Sequence, residues 1–281
     1  MDESEDSAIA ENTQGISGHP FRGYPRLSGL WIIFLLFISF SLAFGFFLGL
    51  LTPYISLSWI NLFGYAGSMG CLIWVVFVWK KKEEGSFRFA FSRPRGLDLL
   101  MVALMTLTSG IILDAFSGWM PPVPEWFERI YASMMQTDLP SFITVTFFAA
   151  FLEEMLCRGI ILDGLLKNMS PAKAIFWSSF FFALMHLNPW QAIPGFLVGL
   201  LMGWLYWKSG SLWLPVWMHF LNNGLAYALT WYTGNDSASV KDLMPGGSVY
   251  LLVCIASVCI FLLSFKILSE KKLSSNETFR K

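Results

Sequence analysis

The sequence is poor in charge. Charged residues make up 14 % of its 281 residues, where soluble domains carry about 25 %. Lysine plus arginine number 19, aspartate plus glutamate also 19, and the formal net charge is zero. With no excess of positive charge to hold phosphates, a nucleic-acid partner is not expected. The hydrophobic fraction is 55 %, and a soluble chain of this length would need more charge to cover its surface. Cysteine is scarce too. Cys71, Cys157, Cys254 and Cys259 lie in apolar stretches without a CxxC pair, so they read as small buried apolar residues rather than as a disulfide or metal framework. Neither a GxSxG elbow nor an HExxH zinc helix is present, which removes two common hydrolase routes.

Long apolar runs take the place of charge. Residues 1–28 form an acidic, Gly- and Pro-containing stretch that reads as a disordered tail, not a secretory signal. Eight apolar segments follow, at 29–51, 58–79, 97–117, 140–166, 172–187, 190–207, 212–232 and 248–267. Backbone groups in lipid must be satisfied internally, so an all-α bundle of about eight membrane helices is expected. The fifth and sixth segments, separated only by Asn188-Pro189-Trp190, read as a tight hairpin. With both termini inside, 16 of the 19 basic residues fall on the inner side and only Arg129 and Lys241 in outer loops. This bias puts both termini in the cytoplasm of an integral membrane protein. The loop 118–139, with Trp126, Phe127, Ile130 and Tyr131, suits either an amphipathic outer helix or a plain connector. The expected organisation is a tail (1–28), N-terminal membrane helices with the outer loop (29–139), a central set carrying the polar residues (140–232), and a last span with a cytoplasmic tail (233–281).

A few polar groups sit where lipid makes them expensive. Asp98, Asp114 and Asp163 lie close to segment ends and read as interfacial. The fourth segment instead carries Glu153, Glu154 and Arg158 in mid-run. Glu154 and Arg158 are i and i+4 in the favourable order, and can neutralise each other. Glu153 points about 100° away and is left without an intrahelical partner. Two of the three histidines, His186 and His219, also lie in the apolar region, with Phe182 four residues before the first and Asn223 four after the second. Helical rise puts Glu153, His186 and His219 roughly 21, 20 and 16 Å from the inner surface, so the three can share one level. Gly195, Gly199 and Gly203 form a small-residue face for close helix packing. Pro194 and Pro215 are expected near helix starts.

A carboxylate and a histidine can position and deprotonate a water, while a second histidine and an amide stabilise an oxyanion. Peptide-bond hydrolysis then requires no cofactor. Two histidines and a glutamate (Glu153, His186, His219) can equally hold zinc with an open water position. Spacing does not separate these two.

The elements Glu153-Glu154-x-x-x-Arg158, Phe182-x-x-x-His186 and His219-x-x-x-Asn223 resemble, in order and spacing, the three motifs of the CAAX prenyl protease 2 and bacteriocin-processing (CPBP, or Abi) family of intramembrane proteases. The resemblance covers about 140–225. It implies a membrane endopeptidase acting on protein or peptide substrates that approach from the bilayer. Glu153 would be the catalytic glutamate, with His186 helping to hold the water. His219 and Asn223 would stabilise the oxyanion, and Glu154 and Arg158 would support the site. Family members are often labelled metalloproteases. Intramembrane Glu and His also build ion-coupled carriers, although no internal repeat relates the two halves here. A non-catalytic immunity or scaffold protein of the same fold is the other alternative.

Overall fold

The computed structural model describes residues 23–235 and 238–270. Among these the chain is helical, without strands. Nine helices follow in order. Three long ones come first, α1 (Gly29–Gly49), α2 (Leu57–Glu84) and α3 (Gly96–Ser117). The short α4 (Glu125–Met134) precedes α5, which runs over 139–166. Then come α6 (Pro171–Leu184), α7 (Pro189–Ser209), α8 (Trp213–Thr233) and α9 (Gly247–Glu270).

Lipid is the solvent these helices fit. Only Leu30 and Ile33 of α1 are buried, while Leu35, Leu42, Phe46 and Phe47 stand exposed at 65–69 %. Leu251, Leu252, Leu262 and Leu263 do the same on α9. Apolar surface of that extent would be untenable in water. α1, α2, α3 and α9 are each long and apolar enough to cross a membrane. The expectation of eight spans is met only in part. α6 has 14 residues, or about 21 Å of rise, short of a hydrocarbon core of about 30 Å. α7 and α8 have 21 residues each, but glycine, proline and polar side chains dilute them.

α8 lies at the centre, packed against α3, α5 and α7, while α6 and α7 form the expected hairpin. Asn188 starts α7 by accepting from Gln191 N at 2.8 Å. α6 ends three residues before the apolar run does, and Leu187 in the connection has φ +56°. Such a left-handed value is uncommon for leucine. His186 therefore sits in the turn after α6, not within the helix. Pro194 lies inside α7 rather than at its start.

α5 is not a uniform α-helix. Ile143–Phe148 and Met155–Leu162 are π-helical, on either side of the α-helical turn Ala149–Glu154. Side chains from other helices bond carbonyls in both stretches. Asn223 Nδ2 donates to Val145 O at 2.8 Å, and Ser178 Oγ to Cys157 O at 2.8 Å. Short π stretches of this kind often mark functional sites.

Residues 1–22 of the expected tail and 271–281 lie outside the described residues. The stretch 23–28 is docked rather than loose. The stretch crosses α5 so closely that a side chain on Gly23 would strike Gly164 O, and one on Gly164 would strike the Tyr24 backbone. Tyr24 N donates to Glu84 at 2.8 Å, and the buried Lys80 donates to Tyr24 O at 2.5 Å. Lys80 also pairs with Glu84 and Asp163, each at 2.8 Å, and Lys167 bonds the same two carboxylates. Burial works against the charge on Lys167, but Asp163 and Glu84 outweigh it and raise its pKa. This clamp ties the C-terminal ends of α2 and α5 together, so Asp163 is a buried partner rather than a plain interfacial acid.

Candidate active site

The short α-helical turn of α5 carries the two glutamates into the bundle, and they diverge as helix geometry requires. Glu154 is fully buried. Its Oε1 accepts from Arg158 Nη1 at 2.6 Å. Arg158 does not snorkel to the surface: it too is fully buried, and its Nη2 donates to Gly199 O on α7 at 2.9 Å. A Cβ on Gly199 would stand 3.3 Å from that nitrogen and 3.2 Å from Ser179 Cβ. The glycine face thus packs α7 against α6 and also opens a backbone acceptor to the guanidinium. The ring of Phe182 lies 4.7 Å from Arg158 Cζ, a cation–π contact inside the bundle.

α8 brings His219 onto the same pair. Its Nδ1 meets Glu154 Oε1 at 3.0 Å. Its Nε2 lies 3.9 Å from Glu153 Oε2, too far for a direct hydrogen bond. Facing a carboxylate, Nδ1 carries a proton and donates. Helix spacing showed the Glu154–Arg158 contact but not this second link.

Glu153 has a partner that sequence reasoning missed. Tyr65, on α2, donates its hydroxyl to Glu153 Oε1 at 2.5 Å. It sits in an apolar stretch with no motif around it, and no sequence signal singled it out.

His186 joins through Phe182. That ring is 5.1 Å from the His186 ring and 5.5 Å from the His219 ring, edge-on to both. His186 Nδ1 lies 3.0 Å from Phe182 O. Only a protonated nitrogen can bond a carbonyl, so in the neutral ring Nε2 holds the lone pair. Asn223 lies one turn beyond His219, and one of its two amide protons is committed to Val145 O. The second remains for another acceptor. Among the described residues, three buried side-chain polar atoms lack a protein partner: Thr146 Oγ1, Glu154 Oε2 and Arg158 Nε. All three belong to this polar region of α5.

The zinc alternative asks for convergent ligands. Among the described residues, no three or more of His, Cys, Asp and Glu are grouped to hold a metal ion. Tyr65 bonds Glu153 Oε1, the Phe182 carbonyl faces His186 Nδ1, and Glu154 faces His219 Nδ1. As placed, these three residues are not grouped as a zinc site.

Fold and site together define a helical membrane protein with a buried carboxylate–histidine centre. Residues 135–225 match the Rce1-like family model, described as type II CAAX prenyl endopeptidase Rce1-like. The matched stretch contains Glu153, Glu154, Arg158, His186, His219 and Asn223, and it bears out the resemblance to the CPBP family of proteases. No curated protein and no solved structure matches the chain.

Proposed function

We propose that the chain is an intramembrane endopeptidase that hydrolyses peptide bonds in membrane-associated or CAAX-type protein substrates. The observation that carries this reading is the 3.9 Å gap between Glu153 Oε2 and His219 Nε2, inside the segment that matches a family of CAAX endopeptidases. A water in that gap gives up a proton to Glu153 and attacks the substrate carbonyl carbon, while His186 Nε2 offers it a second acceptor. Charge builds on the carbonyl oxygen. His219, held by Glu154 at Nδ1, and Asn223, with its free amide proton, stabilise that charge. Glu153 then passes its proton to the leaving nitrogen, and the C–N bond breaks.

The buried Arg158 bonds Glu154 at 2.6 Å and offsets the negative charge that Glu154 brings into the bundle. In this reading eight helices span the bilayer, with α6 and α7 as a hairpin, and both termini lie on the inner side, where 16 of the 19 basic residues fall. The test is a comparison of protein fragments from membranes of cells carrying the wild type or Glu153→Gln. Fragments present only with the wild type name the substrate and cleavage site. Identical fragment sets speak against proteolysis.

A further inference from the structure

The two oxygens of Glu153 have different surroundings. Oε1 accepts the Tyr65 hydroxyl at 2.5 Å. Oε2 faces His219 Nε2 across 3.9 Å. The terminal torsion of a glutamate is soft and nearly two-fold, so an unrestrained carboxylate exchanges its oxygens freely. A hydroxyl donating to a carboxylate at this length is a strong, charge-assisted bond, and it removes that freedom. Tyr65 belongs to α2, 88 residues before Glu153, and lies outside the segment 135–225 that matches the family model.

We infer that Tyr65 is a positioning residue for the proposed hydrolysis: its hydroxyl holds Glu153 Oε1 and leaves Oε2 as the base that faces the water and His219. The inference rests on the reading of Glu153 as the general base. It also means that the site is incomplete within 135–225, because α2 supplies the group that aims the base.

The test uses the full chain in lipid nanodiscs and an internally quenched peptide ending in a prenylated CAAX sequence. Tyr65→Phe removes the hydroxyl and keeps the ring. The expected result is a kcat lowered roughly 10- to 100-fold, the loss that follows when a reacting group is misplaced, with KM essentially unchanged. Wild-type kcat, or a loss confined to KM, overturns the inference. Glu153→Gln separates the two levels. If it is inactive while Tyr65→Phe is fully active, only the positioning role fails; if it is fully active, the reading of Glu153 fails beneath it. A double-mutant cycle on the unfolding midpoint, with Tyr65→Phe and Glu153→Leu, tests the bond without any substrate. The double variant is expected to lose less than the sum of the single losses. Additive losses mean that the bond is absent and overturn the inference whatever the activity.

Discussion

His219 Nδ1 and Glu154 Oε1 meet at 3.0 Å, across 65 residues of sequence. The same oxygen accepts from Arg158 Nη1 at 2.6 Å. One carboxylate oxygen thus joins α5 to α8. Glu154→Gln removes the charge that both partners face. Breaking a buried ion pair from one side costs about 3–5 kcal/mol, so this variant should give less folded protein as well as less activity. The unfolding midpoint in detergent measures the first effect. An unchanged midpoint would show that Glu154 and Arg158 do not support each other.

Gly199 provides a second test of the same support. Its carbonyl accepts from Arg158 Nη2, and a Cβ there would crowd both that nitrogen and Ser179. Gly199→Leu forces α7 off α6 and should destabilise the protein by about 1–3 kcal/mol or more through overpacking. Gly195→Ala makes a useful control, since its Cβ would find ordinary contacts at 3.6 Å. Thermal unfolding of the two variants should separate clearly.

Asn223 bonds Val145 O in the π stretch and, in the proposed mechanism, offers its second amide proton to substrate. Asn223→Ala should lower kcat by about 10²–10³, as removal of one oxyanion donor does elsewhere, with a smaller effect on KM. Steady-state kinetics on a quenched CAAX peptide read both constants. An unchanged kcat would remove Asn223 from the oxyanion role.

At the C-terminal end of α2, Lys80→Met leaves Glu84 and Asp163 without their shared, fully buried cation. It also frees Tyr24 O, which Lys80 holds. The expected loss is again about 3–5 kcal/mol. Proteolysis near residues 23–28 should become faster than in the wild type, because the stretch loses its anchor.

Some of this site was legible in the sequence, for a physical reason. Glu153, Glu154 and Arg158 share one helix, so turn geometry alone separates the paired carboxylate from the free one. What pairs with the free one was not legible. Tyr65 reaches Glu153 from another helix, and its position depends on how α2 packs against α5. The link from Glu154 to His219 is hidden for the same reason. The π stretches of α5 have carbonyls bonded by Asn223 and Ser178 from neighbouring helices, and no period in the sequence marks them. The end of α6 was misplaced because apolar residues continue through Leu187, while the chain leaves the helix early to set up Asn188 as the cap of α7. The tail was misread at 23–28, where low hydrophobicity suggested disorder. Close backbone approach at Gly23 and Gly164 and a buried lysine dock it instead.

The most direct measurement is the cleavage rate of purified Glu153→Gln on a prenylated CAAX reporter, alongside its unfolding midpoint. Glutamine keeps the size of the side chain and can still accept from Tyr65, but it cannot take a proton from water. The proposed chemistry requires cleavage to be abolished while the midpoint stays at the wild-type value. Cleavage at the wild-type rate by the folded variant would contradict it.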